Sequence, residues 1–168
     1  KRQCLFLVCL TAGGQALDVK LEKNVITLSG MMYLTWQETN HDLSVLKQRL
    51  SENPNIKTLN LENFSGGSTV TAGLFYELIE EKGLSTTVTG RCASACAWLF
   101  LAGKNRSFSD RVIQSRHEIG YHKPLTGFSG PTIQGQDEWT TWAIRKGTEG
   151  RFDPTLLKIY LNFEHSYI

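Results

Sequence analysis

Three short segments of the chain carry the residues that could take part in a reaction. Ser94 lies in the sequence C-A-S-A-C, between two cysteines and at the start of an apolar run. His122 lies in Y-H-K-P, and the sequence N-F-S-G-G-S contains the glycine pair Gly66 and Gly67. A serine becomes a nucleophile when a histidine takes its proton, and backbone N–H groups of a glycine turn can stabilise the oxyanion that forms. Together these parts would support acyl transfer.

Ser94 has a second interpretation, because serine is also common at the N-terminal cap of a helix. The Ala-rich run that follows it, closed by Gly103, is typical of a short buried helix. Gly67 and His122 favour the nucleophile over the cap. His117 is a rival base, but it lies five positions from His122, and odd spacing along a strand points two side chains to opposite faces. The K-P turn favours His122.

The apolar pattern predicts the elements that would position these segments. Strands are predicted within 19–28, 56–61, 84–88 and 116–122, and helices within 43–50, 70–79 and 95–102. The helix over 70–79 is predicted to bury a face that includes Val70, and Gly83 is its stop signal. Strand and helix in alternation predict an α/β domain with a mostly parallel sheet and crossover helices. The three segments follow three strands, so we expect them at the carboxyl edge of the sheet.

In their order and spacing these motifs resemble the Clp-type serine peptidases, in the superfamily they share with the crotonases. The resemblance is strongest to a secreted bacterial branch in which a C-A-S-A-C block is common, and it covers 56–124. The family's N-x-x-G-G turn is matched by Asn63, Gly66 and Gly67, its Gly-Leu by Gly73 and Leu74, its G-x-x-A-S block by Gly90, Ala93 and Ser94, and its H-x-P turn by His122 and Pro124.

The resemblance implies a fold and a set of roles. The fold is one of repeated β-β-α units, and the substrate is a peptide or a protein, handled without a cofactor or metal. Ser94 would be the nucleophile and His122 the base, with the backbone N–H groups of Gly67 and Ala95 as oxyanion donors. A homo-oligomer is compatible with this class of protein.

The third member of the triad is unknown. In the family it is an aspartate well beyond the histidine. Asp153 is one weak candidate, but D-P-T-L-L is typical of an N-cap followed by Pro at the first helical position. Glu164 is another weak candidate.

Residues 1–16 are interpreted as a signal peptide. Lys1 and Arg2 precede an apolar run that ends in A-G-G-Q-A, and the run is too short for the ~20 residues of a transmembrane helix. A buried N-terminal strand is the alternative. We expect cleavage after Ala16, export to the bacterial periplasm or the exterior, no membrane span afterwards, and a single Clp-like domain over 17–168 that is truncated at its C-terminus.

Charge and cysteine content narrow the function classes. Without Lys1 and Arg2 the 18 basic residues fall to 16, equal to the 16 acidic residues. A nucleic-acid partner is therefore not expected, since phosphate binding needs a basic excess. Only Cys92 and Cys96 remain, and in an oxidising compartment they are predicted to form a disulfide.

Three other interpretations stay open. Cys92, Cys96, His117 and His122 could form a zinc site, although C-x-x-x-C is not the usual spacing. The chain could be a catalytically silent member that serves as a binding or assembly module, because the triad acid is missing. A crotonase-like acyl-CoA enzyme would share the oxyanion glycines but would not need the Ser–His pair.

Overall fold

The protein is built of alternating strands and helices. The computed structural model describes residues 17–32, 35–111, 116–121, 136–151 and 153–155. In chain order the elements are β1 (Asp18–Glu22), β2 (Val25–Met32), α1 (Trp36–Glu52), β3 (Thr58–Gly67), α2 (Thr69–Glu81), β4 (Ser85–Ala93), α3 (Ala95–Ala102), β5 (Arg106–Phe108), β6 (Glu118–Gly120) and α4 (Gln136–Gly147).

These strands form one mixed sheet of six strands in which most neighbours are parallel. β1 and β2 form an antiparallel hairpin, and β2, β3 and β4 then run parallel in sequential order. β5 and β6 both pair with β4, β5 along its first half and β6 along its second half. The predicted α/β class with a mostly parallel sheet and crossover helices is confirmed.

The sheet has one apolar face and one polar face. Sequential parallel strands joined by right-handed crossovers place successive helices on the same side of the sheet. Ile26, Leu59 and Val88 on that side are fully buried. On the opposite side, the Thr89 hydroxyl donates to Asn60 Oδ1 at 2.9 Å. Strands that alternate apolar and polar residues are consistent with helices that cover a single face.

Local signals explain where the helices begin and end. Thr35 caps α1 and Ser68 caps α2, each accepting a hydrogen bond from a backbone N–H three residues later. Gly83 follows α2 with φ +59°, a left-handed conformation that favours glycine, so the predicted stop signal is confirmed. The predicted burial of Val70 is wrong. It lies in the first turn of α2 with 53% of its surface exposed.

Four strands differ from their predicted extents. β2 continues to Met32, beyond the predicted 19–28 segment. β3 continues to Gly67 and β4 to Ala93, so most of each glycine-containing motif lies within a strand rather than after it. β6 is shorter than predicted and ends at Gly120, and His122 lies outside the described residues. β5 was not predicted, because three residues at the sheet edge carry too little pattern to be recognised.

Helix α3 is the most enclosed helix of the described part of the chain. Seven of its eight residues are buried, and fully burying one large apolar side chain stabilises a fold by about 1.5–3 kcal/mol. The eight residues of α3 span only about 12 Å along the helix axis. Across the described ranges, no helix has the length and apolar content needed to cross a bilayer.

Asp42 is a carboxylate on the buried face of α1. It is 8% exposed, and burial raises its pKa, partly opposed by the neighbouring His41. The folded protein therefore binds a proton at Asp42 more readily than the unfolded chain does. By linkage, the stability of the fold falls as the pH rises from the unfolded-state pKa through the raised folded-state pKa.

We predict that Asp42→Asn raises the free energy of unfolding at pH 7 by on the order of 1 kcal/mol, because it removes a buried charge. The difference should vanish below the ordinary carboxyl pKa of about 3.9, where Asp42 is protonated in both states. Urea unfolding at pH 7 and pH 3.5 measures this. Glu52→Gln, at the exposed end of α1, is the matched control. A variant no more stable than the parent at pH 7 would contradict the assignment.

Candidate active site

Ser94 occupies a strained turn between β4 and α3. Its backbone has φ 58° and ψ −128°, and it stands at the N-cap position of α3 without making a side-chain capping hydrogen bond. The hydroxyls of Thr35 and Ser68 do cap their helices. A non-glycine residue in this region of φ/ψ space costs about 1–3 kcal/mol and points to function. The cap interpretation of Ser94 therefore fails, and its hydroxyl is available for other chemistry.

Two backbone hydrogen bonds hold this turn. The Ser94 N–H donates to the carbonyl oxygen of Gly120 at 2.8 Å, and the Ser94 carbonyl accepts from the Ala97 N–H at 2.9 Å. The first bond ties the turn to the end of β6, and the second begins α3. A strand-to-helix turn with a strained serine is also how some hydrolases expose a nucleophilic hydroxyl.

A disulfide spans the same turn. Cys92 and Cys96 are bonded, with their Cα atoms 5.3 Å apart, and both residues are fully buried. The predicted disulfide is confirmed. The zinc interpretation is wrong in this state, because sulfurs bonded to each other cannot act as thiolate ligands.

Of the glycine pair at the end of β3, Gly66 lies directly against Ser94, and Gly67 lies against Met32. Gly66 has φ +95°, and a Cβ added there would lie 2.8 Å from Ser94 Cβ and 2.8 Å from the Ala95 nitrogen. At Gly67 an added Cβ would lie 2.0 Å from the carbonyl oxygen of Met32. Only glycine permits these approaches. The two motifs that the sequence placed at separate strand ends are therefore in contact.

The start of α3 adds electrostatic character to this junction. The first N–H groups of a helix have no intrahelical acceptor, and the aligned peptide dipoles give the N-terminus a partial positive charge. Ala95 is the first residue of α3. Its N–H can therefore contribute to stabilising a negative charge that develops beside Ser94.

Bulges in β3 and β4 set the geometry just before the junction. The pairing of Glu62 with Thr89 is followed by that of Phe64 with Cys92, so two β4 residues lie opposite Asn63. Asn63 has φ +45°, and its Oδ1 accepts from the Arg91 N–H at 3.3 Å. Gly90 has φ +74°, and a Cβ there would lie 2.1 Å from that Oδ1. Asn63 and Gly90 of the two motifs thus fit together.

His117 is occupied elsewhere and does not serve as the base for Ser94. Its Nδ1 accepts from the Gly90 N–H at 2.9 Å, and its Nε2 lies 3.1 Å from the carbonyl oxygen of Arg111. Gly90 lies in the β4 bulge, four residues before Ser94 in the chain. Both ring nitrogens therefore have backbone partners other than the serine hydroxyl.

The remaining predicted site residues have mixed outcomes. Asp153 accepts a hydrogen bond from the Thr155 N–H at 2.7 Å, which supports its interpretation as an N-cap. His122, Pro124 and Glu164 lie outside the described residues, as does the predicted signal peptide over 1–16. Gly120 was missed by the sequence reasoning. Gly120 accepts the Ser94 N–H through its backbone carbonyl. Every residue type has such a carbonyl, so the sequence carries no signal for this role.

A separate groove of about 600 Å³ lies along the polar side of the sheet. Glu62 and Arg111 line it and form an ion pair at 3.0 Å. Asn63 and Ser65 line its end nearest the glycine turn, but Ser94 is not among its described lining residues. The groove is therefore distinct from the junction of Gly66 and Ser94.

Comparison with known proteins adds no assignment. No known protein family matches the chain, and no curated protein matches it either. The evidence for a function is therefore the geometry of the junction and the motifs that form it.

We predict that Gly66→Ala disrupts the junction. An added Cβ would lie 2.6 Å from the Ala93 carbonyl oxygen and 2.8 Å from the Ala95 nitrogen, so the free energy of unfolding should fall by at least about 2 kcal/mol. Gly83→Ala is the matched control, because Gly83 has φ +59° and open space around its Cα. Urea denaturation measures both. Equal losses in the two variants would contradict a steric junction at Gly66.

We predict that the disulfide matters more for the site than for global stability. The bridge closes a loop of only a few residues, so its removal should lower stability by the low end of the ~0–5 kcal/mol range. Reaction of Ser94 with a fluorophosphonate probe should fall by about tenfold or more, because pre-organised donors near the serine are lost. The Cys92→Ala/Cys96→Ala double variant tests this beside parent protein, with melting temperature measured in parallel. A large loss of stability with undiminished labelling would contradict the prediction.

Proposed function

We propose that the protein is an exported serine hydrolase of the Clp-like type, acting as a peptidase on peptide or protein substrates. One observation carries the proposal. Ser94 is held in a strained conformation at the carboxyl end of a parallel strand, and its hydroxyl caps nothing. A strained serine whose hydroxyl makes no capping hydrogen bond in the described part of the chain is consistent with a positioned nucleophile.

The proposed reaction uses the parts around this serine. Ser94 Oγ attacks the acyl carbon of the substrate while His122 takes its proton, and the carbonyl oxygen becomes an oxyanion. The N–H groups of Gly67 and Ala95 stabilise that oxyanion. His122 then gives the proton to the leaving amine, and a water molecule releases the acyl group from Ser94 by the same steps.

Two contacts support this assignment of roles. Gly66 packs against Ser94 and the Ala95 nitrogen, and Gly67 is its direct neighbour in the chain. Gly120 is hydrogen-bonded to Ser94, and His122 follows it by two positions in the sequence.

Export is supported by the redox state of the site. Disulfides persist mainly in oxidising compartments such as the bacterial periplasm and the exterior, and Cys92 and Cys96 are bonded. The signal-peptide pattern over 1–16 fits the same compartment. Such a bridge would be rare in the reducing cytoplasm, where an acyl-CoA enzyme would act.

The direct test is labelling with a fluorophosphonate probe, followed by mass spectrometry of the modified peptide. We predict that the parent protein is labelled at Ser94 and that Ser94→Ala abolishes labelling. Ser65→Ala is the matched control, because Ser65 lies in the neighbouring glycine motif and its hydroxyl donates to the Gly30 carbonyl oxygen at 3.4 Å. It should be labelled like the parent.

His122→Ala should slow labelling at pH 8 by at least about 10²-fold, the usual contribution of a general base. His41→Ala, an exposed histidine on α1, should not. A folded parent protein that resists the probe would overturn the hydrolase proposal in favour of a binding or assembly module. Labelling at another serine would overturn the assignment of Ser94.

A further inference from the structure

His117 makes two hydrogen bonds that the proposed reaction does not explain. Its Nδ1 accepts from the Gly90 N–H at 2.9 Å, and its Nε2 lies 3.1 Å from the Arg111 carbonyl oxygen. A backbone N–H can only donate and a carbonyl can only accept. The partners therefore assign a neutral ring with its proton on Nε2.

The hydrogen bond from the Gly90 N–H to His117 takes the place of a strand-to-strand hydrogen bond that is missing at this point of the sheet. Gly90 and Arg91 together lie opposite the single residue Asn63, and the extra residue of a bulge is left without a ladder partner. Asn63 Oδ1 accepts from the Arg91 N–H. His117 accepts from the other N–H of the bulge. A buried N–H left without an acceptor would destabilise this segment, and Gly90 is buried.

The same histidine connects the two strands that meet at Ser94. His117 immediately precedes β6, and β6 pairs with β4 from Arg91 to Ala93. That pairing ends where the Ser94 N–H donates to Gly120. Displacement of the bulge would shift β4 relative to β6 and disturb this last bond.

We infer that His117 is a positioning residue for Ser94. Its neutral ring anchors the β4 bulge and so fixes the strand segment that leads into the serine turn. This inference rests on the proposed function for its effect on catalysis, but its effect on the backbone does not depend on any reaction.

Further contacts surround the ring. The Phe108 ring stacks on the imidazole, with the two ring centroids 6.3 Å apart. Two ion pairs, Arg111–Glu62 and Arg91–Glu118, lie in the same segments.

The test compares His117→Asn and His117→Ala. An asparagine oxygen can accept from the Gly90 N–H at the position of Nδ1, whereas alanine leaves that N–H without an acceptor. At pH 8, fluorophosphonate labelling of Ser94 should fall about tenfold in His117→Ala and stay within about threefold of the parent in His117→Asn. His41→Asn, at an exposed histidine on α1, is the matched control and should be labelled like the parent.

Backbone measurements separate this inference from the proposed function. In the parent protein at pH 8, ¹⁵N NMR should show an unprotonated Nδ1 on His117. Amide exchange at Gly90 and Ser94 should be about tenfold faster in His117→Ala than in the parent, but not in His117→Asn. A protonated Nδ1 at pH 8, or unchanged exchange at Ser94 in His117→Ala, would overturn the inference. If the parent and the variants show these exchange rates but the parent is not labelled by the probe, only the hydrolase proposal is overturned.

Discussion

The pairing of β3 with β4 is the interaction on which the rest of the structure depends. These parallel strands lie at the centre of the sheet, and their register brings the end of the N-F-S-G-G motif against the end of the G-R-C-A-S motif. Neither motif forms the junction at Ser94 by itself. The backbone of Gly66 reaches Ser94 and Ala95 because two strands, separated by a whole helix in the sequence, run side by side to the same edge.

The strain at Ser94 is maintained by constraints from three directions. A hydrogen bond from its N–H reaches Gly120 on β6, a disulfide joins the residues on either side of the turn, and α3 starts immediately after it. A strained conformation persists only where its surroundings over-determine it. The buried face of α3 supplies the packing energy for this, because almost the whole helix is enclosed in the core.

Two kinds of polar group lie near the site: groups that hold its backbone in place and the hydroxyl that is proposed to react. Asn63 and His117 accept the two N–H groups of the β4 bulge, so their side chains act as part of the backbone hydrogen-bond network. Ser94 stands apart, since its hydroxyl caps no helix although Thr35 and Ser68 cap theirs. This difference between three serine and threonine hydroxyls at helix N-termini is visible only in the structure, because their residue types alone predict a cap for each.

The sequence by itself determined the features that depend on near neighbours. Apolar periodicity gave the order of strands and helices, Gly83 marked the end of α2, and the motif order placed the glycine pair and Ser94 at the same edge of the sheet. The Cys92–Cys96 bridge was also predictable, because four residues of spacing limit the distance between two cysteines.

Only the tertiary structure decided the features that depend on distant partners. The bulges at Asn63 and Gly90 arise from the register of two strands, and no local pattern encodes a register. The role of His117 follows from a backbone N–H twenty-seven residues earlier in the chain, and the exposure of Val70 follows from where the first turn of α2 lies. Periodicity reports which face of an element is apolar. It does not indicate which atoms of another element that face will contact, because those contacts depend on how the whole sheet and its helices pack together.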